Sequence, residues 1–230
     1  MSEEQTGIPA SSLDFLSILK ENNNREWFNA RKDEFLQQQD FVEKFAGLLL
    51  NELNRHDLIE IQPGKKILHR IYRDTRFSKE KIPYKINWSG SFKRATRQRR
   101  GGYYFHIEPG NSFLAGGFQA LNAEDLKRIR DDISFDAAPL KKILNSKSFR
   151  ETFGTLQGEQ VKTTPKGFDK NNEALDLIRH KQFLLIRHFT DEQVLSLSFL
   201  KEASQTFRNM RPFFDYMSEV LGSDSDGEDV

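Results

Sequence analysis

The chain has 230 residues, 37% of them hydrophobic and 30% charged, with 35 Lys and Arg against 34 Asp and Glu. That length suits one domain with a sizeable core, and the mix of apolar and charged residues excludes an intrinsically disordered chain. Cysteine is absent, which excludes a disulfide scaffold, a thiolate zinc site, an iron–sulfur cluster and a cysteine nucleophile together.

Ser11-Ser12-Leu13-Asp14 reads as a capping box opening a short helix that carries Phe15, Leu16 and Leu19 on one side. Asn22, Asn23 and Asn24 end it, and a long helix is predicted over residues 25–54 from the spacing of Phe28, Phe35, Phe41, Phe45, Leu48 and Leu49. From residue 59 to residue 119 the pattern changes to strands. Residues 67–72, 87–93, 102–108 and 112–119 are short, aromatic or β-branched, and separated by Gly and Pro. The last three suit an antiparallel meander. The connection over residues 73–86 is long for a compact domain, and such loops are often functional. Asn122 and Asp136 each open a helix, 163–167 is a loop, 171–180 is a helix, 182–189 a further strand, and Thr190 caps a brief turn.

A final helix over residues 197–221 places Phe199, Ala203, Phe207, Met210, Phe214, Met217 and Leu221 on one stripe. Pro212 within it has no N–H to offer the Arg208 carbonyl, so a kink or break is expected there. Helices, then strands, then helices again predict an α+β fold, with a central, mainly antiparallel sheet of about four or five strands flanked by N-terminal and C-terminal helices. Residues 1–221 form one domain on this reading, and the acidic stretch 222–230 is a disordered tail.

The longest apolar runs fall far short of a membrane span and the polar start is no signal peptide, so a soluble, cytoplasmic protein with no membrane partner is expected. Phosphate-loop, dinucleotide-glycine, HExxH and nucleophile-elbow signatures are all missing. No cofactor and no metal site is therefore predicted.

Two groups of residues can carry chemistry. In IYRDTRFSKEKIPYK, Arg73 and Arg76 bracket Asp74, and Lys81, Tyr84 and Lys85 follow. A guanidinium fork suits phosphate or carboxylate, and a neighbouring Asp holds the fork in place. The same residues also suit an internal salt-bridge cluster that pins the loop. In YYFHIEPG, strand alternation puts Tyr103, Phe105 and Ile107 on one face and Tyr104, His106 and Glu108 on the other. The second face offers an imidazole and a carboxylate one pleat apart beside a phenol, a set fit for general acid–base work. A structural, hydrogen-bonded histidine is the competing reading. His69 on a neighbouring strand is a conceivable third group for a metal. Across the sheet the two groups are expected to approach, with Arg73, Arg76, Tyr84, His106 and Glu108 lining one polar face or its rim; a one-residue slip would turn His106 inward.

Between Lys65 and Arg100 lie thirteen basic residues opposed only by Asp74 and Glu80, within a chain of net charge +1. Such a segment attracts anions unless the acidic remainder folds over it. Three functions follow. The first is an anionic small-molecule ligand, phosphate- or carboxylate-bearing, gripped by Arg73, Arg76 and Lys81 or Lys85, with His106 as proton-transfer group and Glu108 orienting it. The second is nucleic-acid binding through Lys93, Arg94, Arg97, Arg99 and Arg100, with Trp88, Phe92 and Tyr104 stacking on bases. The third is a non-catalytic interaction module. The first is favoured; oligomeric state is not legible.

FLSILKENNNREWF, IYRDTRFSKEKIPYK, GGYYFHIEPGNSFLAGGF and PKGFDKNNEALDLIRHKQF occur here in an order that resembles the bacterial family catalogued as domain of unknown function 2461, over most of the chain. The resemblance implies that residues 73–85 and 104–112 are the family's most characteristic parts. It implies no catalytic assignment.

Overall fold

Three consecutive asparagines set the entry to the fold, each in a different way. In the computed structural model, which describes residues 7–60, 67–76, 79, 81–95 and 99–222, Asn22 closes helix α1 (Ala10–Glu21) and the Asn24 side chain accepts the Trp27 N–H to cap α2 (Arg25–Ala30). Asn23 reaches across the chain instead: its amide donates to the Tyr84 carbonyl and its oxygen accepts the Tyr84 N–H, both at 3.1 Å. The predicted capping box is not used. Pro9 is the N-cap of α1, with no side-chain cap, and Ser11 and Ser12 both donate to Gln38 Oε1 at 3.0 Å. Their hydroxyls thus satisfy a buried amide from a later helix rather than the helix terminus.

The predicted helix over residues 25–54 is two helices, because Arg31 leaves helical geometry (φ −119°) between α2 and α3 (Lys32–Leu53). On α3 the buried positions are Phe35, Gln38, Val42, Phe45, Ala46, Leu49 and Leu53. Phe41 and Leu48 sit half-buried beside that stripe.

Five strands, β1 (Ile59–Glu60), β2 (Trp88–Arg94), β3 (Gly102–Ile107), β4 (Ser112–Phe118) and β5 (Phe183–Phe189), form one antiparallel sheet in sequence order. Register follows the alternation read from the sequence. Phe105 pairs with Gly90 and Leu114, and His106 with Ser89 and Phe113. The expected strand over 67–72 makes only isolated bridges, Leu68 to Gly90 and Tyr72 to Tyr84. Three residues on one side face five on the other between those bridges, so the ladder cannot run continuously, and the segment is an arm at the sheet edge.

Trp88, Phe92, Tyr103, Phe105, Ile107 and Leu114 on the inner face are buried in one continuous apolar cluster with α1, α3 and α9 (Phe199–Gly222). Two glycines make room for this packing. A Cβ on Gly90 would lie 2.6 Å from the Phe105 ring, and one on Gly116 would lie 2.6 Å from Met210 Sδ and 2.7 Å from Phe214. Every residue of the predicted α9 stripe is buried, and the helix continues through Pro212 without a break.

The remaining helices among the described residues are α4 (Ala123–Phe135), α5 (Ala138–Leu144), α6 (Lys147–Phe153), α7 (Leu175–Ile178) and α8 (Asp191–Leu195). Asn122 caps α4 and Thr190 caps α8 in a full capping box with Gln193. The helix expected over 171–180 shrinks to the four residues of α7. Asp169 and Asn172 side chains accept the N–H groups of Asn171 and Ala174, an alternative to helical bonding just where the helix would start. The architecture is α+β, a central sheet with flanking helices. Apart from Gly222, which ends α9, the acidic stretch 222–230 lies outside the described residues, as do Lys65, Lys66 and Arg97.

Candidate functional site

The pleat turns Tyr104 and His106 to the outer face of β3, away from Tyr103 and Phe105 in the core. There they meet Glu108, which follows the strand. His106 Nε2 lies 2.8 Å from Glu108 Oε2, and His106 Nδ1 lies 3.1 Å from the Tyr104 hydroxyl. Asn111 Nδ2 donates to the same Glu108 oxygen at 3.1 Å. On β4, Phe113 stacks on the imidazole with ring centroids 4.6 Å apart. The ring is therefore fixed on three sides, yet its side chain keeps 12% exposure and that of Glu108 keeps 19%.

The polar set extends across β2. Ser89 and Ser91 pair with His106 and Tyr104 respectively along the sheet. His69, on the edge arm, places Nδ1 3.4 Å from Ser89 Oγ and Nε2 3.0 Å from Ser91 Oγ. Burial raises the Tyr104 pKa; the neighbouring Ser89 hydroxyl opposes that and the Glu108 charge adds to it, so the phenol stays protonated at neutral pH. Burial and the nearby Lys85 charge lower the His69 pKa, which keeps that ring neutral.

The ligand candidates from the edge arm fall into two groups. Lys85 acts electrostatically on His69, and burial and Arg70 lower its own pKa. The tip of the arm, by contrast, is held by its own contacts. Arg76 grips Asp74 with Nε and Nη2, at distances down to 2.6 Å, and Lys81 Nζ donates to the Thr75 carbonyl at 2.8 Å. Arg73 is exposed, with its backbone N–H bonded to the Pro83 carbonyl. Tyr84 departs from the expected polar rim. Its ring is 3% exposed and stacks on Phe28 at 3.9 Å, because the Tyr72 bridge and the Asn23 clamp turn it toward α2. The structure thus brings Tyr104, His106 and Glu108 together. Arg73, Asp74, Arg76, Lys81 and Tyr84 are not part of their hydrogen-bond chain.

Ser89, Ser91, Asn111 and Phe113 were not singled out from the sequence. The available signal was alternation: the residues of 88–94 and 112–118 that share the His106 face are fixed once the meander is accepted. His69 meets two serine hydroxyls, and no group of three or more acidic or imidazole side chains able to hold a metal occurs among the described residues.

Much of the basic segment is met by acidic partners from the rest of the chain. Arg94, 1% exposed, bonds Asp57 at 2.7 Å and Asp215 at 2.5 Å, Arg100 bonds Asp125, and Lys93 pairs with Glu60. Tyr103 donates to the same Asp57 at 2.6 Å, and Arg211 joins from α9. Trp88 and Phe92, considered above as stacking platforms for bases, are 4% and 2% exposed in the core.

A family model described as conserved hypothetical protein (DUF2461) matches residues 11–216, and the chain belongs to that family. No curated protein and no solved structure matches it. No helix among the described residues is long and apolar enough to cross a membrane.

Proposed function

We propose that the outer face of the sheet binds an anionic small molecule bearing a phosphate or carboxylate, and transfers a proton to or from it through His106. The observation that carries this reading is the arrangement of Lys85 and Arg70. Burial and then the neighbouring Arg70 charge lower the Lys85 pKa, and neither cation has an ion-pair partner among the described residues. Arg70 also acts on Asp74, but that carboxylate already binds Arg76. An anion relieves the repulsion between the two, and Lys85 also acts on His69, whose ring lies 5.9 Å from that of Tyr104.

In this reading Lys85 and Arg70 hold the anion and Arg73 adds charge from the arm. Asp74, Arg76 and Lys81 keep the tip of the arm in shape. His106 is the acid–base group, and Glu108 accepts its Nε2 proton and orients the ring. Calorimetric titration with inorganic phosphate at low salt tests it. Saturable binding is expected, weakened about tenfold or more (about 1.4 kcal/mol) by Lys85→Gln. Heats equal to the buffer blank, or binding indifferent to that substitution, would overturn the reading.

A further inference from the structure

The edge arm bridges to its neighbours at Leu68 and Tyr72, and the stretch from one bridge to the other borders a hollow of about 240 Å³ against α3. Its buried lining is largely aromatic. Phe35 of α3, 8% exposed, stacks on Trp88 of β2, 4% exposed, with ring centroids 5.5 Å apart and planes 17° from parallel. The indole is held in place by Nε1, which donates to the Ser12 carbonyl at 3.0 Å. Leu68, Ile71 and Tyr72 add apolar surface from the arm, and Tyr72 keeps 52% exposure.

Polar groups share the hollow, and none of them is acidic. Arg70 lines it without an ion-pair partner among the described residues, and Asn87 lines it with an amide that makes no side-chain hydrogen bond among them. An aromatic surface can attract a cation through its ring quadrupoles. Here the unpaired guanidinium opposes one, and no carboxylate in the lining offsets it, so the charge favours an anion. Size narrows the choice further. A cavity of roughly 150 Å³ holds a benzene ring, so this one suits a single six-membered ring with a small substituent.

We propose that the hollow seats the ring of an aromatic anion, an aryl phosphate or aryl carboxylate, with the ring against Phe35, Trp88 and Tyr72 and the charged group on Arg70. The inference rests on the anion-binding reading above, in which Arg70 and Lys85 hold the charge, and it names the organic part of that ligand. Arg70 is the link, since it lines the hollow and also acts on Lys85. Burial of the ring adds affinity that the anion alone does not supply. Aromatic rings pack on one another in offset or edge-to-face arrangements, a gain that a saturated ring of the same bulk forgoes.

Calorimetry on the full chain compares inorganic phosphate, phenyl phosphate and cyclohexyl phosphate. Phenyl phosphate should bind about tenfold or more tightly than inorganic phosphate; equal affinities overturn the ring site. Cyclohexyl phosphate should bind more weakly than phenyl phosphate, and affinity as high or higher contradicts the selection for aromatic rings. Tyr72→Ala, at an exposed position, should cut the advantage of phenyl over inorganic phosphate about threefold or more. An undiminished advantage puts the ring elsewhere. In proton–nitrogen spectra phenyl phosphate should shift the Trp88 indole resonance while the cation benzylamine does not; equal shifts, or none, refute the charge selection. Phosphate heats equal to the blank, with phenyl phosphate still binding and moving Trp88, remove the anion reading and leave the ring site. Phosphate binding without a phenyl advantage does the reverse, and if neither compound binds both readings fall.

Discussion

Tyr103 and Tyr104 are consecutive residues of one strand, and each puts its hydroxyl into a polar network, but on opposite faces of the sheet. The Tyr103 network is charged and closed. Asp57, with 0% side-chain exposure, accepts from Tyr103 and Arg94, and Arg94 continues to Asp215 and Ser218 on α9. The Tyr104 network is smaller, reaches solvent, and contains one imidazole and one carboxylate. A buried ion cluster holds elements in place because breaking it strands a charge, whereas an imidazole that still reaches solvent can exchange protons with it. One strand thus separates holding the fold from doing chemistry by a single residue step.

The sharpest way to break this contrast is Asp57→Ala, which leaves Arg94 without its buried carboxylate. A loss of about 3–5 kcal/mol is expected from urea denaturation. Tyr103→Phe should cost about 1–3 kcal/mol by removing one buried hydrogen bond to a carboxylate. Tyr104→Phe should cost less than about 1 kcal/mol, since its partners can turn to water. A larger stability loss from Tyr104→Phe than from Tyr103→Phe would reverse the assignment of the two faces.

Smaller effects come from pH. Burial opposes ionisation of Asp57, but the bonds from Tyr103 and Leu58 and the charges of Arg94 and Arg211 outweigh it and lower its pKa. A carboxylate whose folded pKa lies below the unfolded value stabilises fully above that unfolded value, near 3.9, and loses its contribution as pH falls through the folded pKa. The cluster should therefore survive mild acid and fail only below about pH 4. His180 acts at higher pH. Burial lowers its pKa against the raising effects of the Gln182 carbonyl and Asp176. The unfolded chain then binds more protons below about pH 6.5, so the stability contributed by neutral His180 falls as pH drops through that range. His180→Gln should flatten the change between about pH 7 and 5, measured as shifts in thermal midpoint; an unaltered slope would assign the effect elsewhere.

What the sequence made legible follows the periodicities. The α9 stripe was readable residue by residue because seven apolar positions repeat at helical spacing on one element. The two faces of β3 were readable because alternation is local. The break at Arg31 was not, since nothing in the apolar spacing of 25–54 marks it. Tyr84 was read toward the ligand side because its neighbours are charged. Its real partners, Phe28 and Asn23, are far away in sequence, and only tertiary structure sets that packing. The serines of β2 were missed for a related reason: Ser89 and Ser91 carry no signal until register places them beside Tyr104 and His69. Arg94 looked like one more surface cation, and its burial depends on Asp57 and Asp215 arriving from both sides of the chain.

The most direct test of the central claim is a map of backbone amide shifts during titration with inorganic phosphate. If the outer face is the site, the saturating changes gather on Lys85, Ser89, Ser91, Tyr104 and His106. Changes gathered instead around Arg99 and Arg100, or spread evenly along the exposed helices, would contradict it.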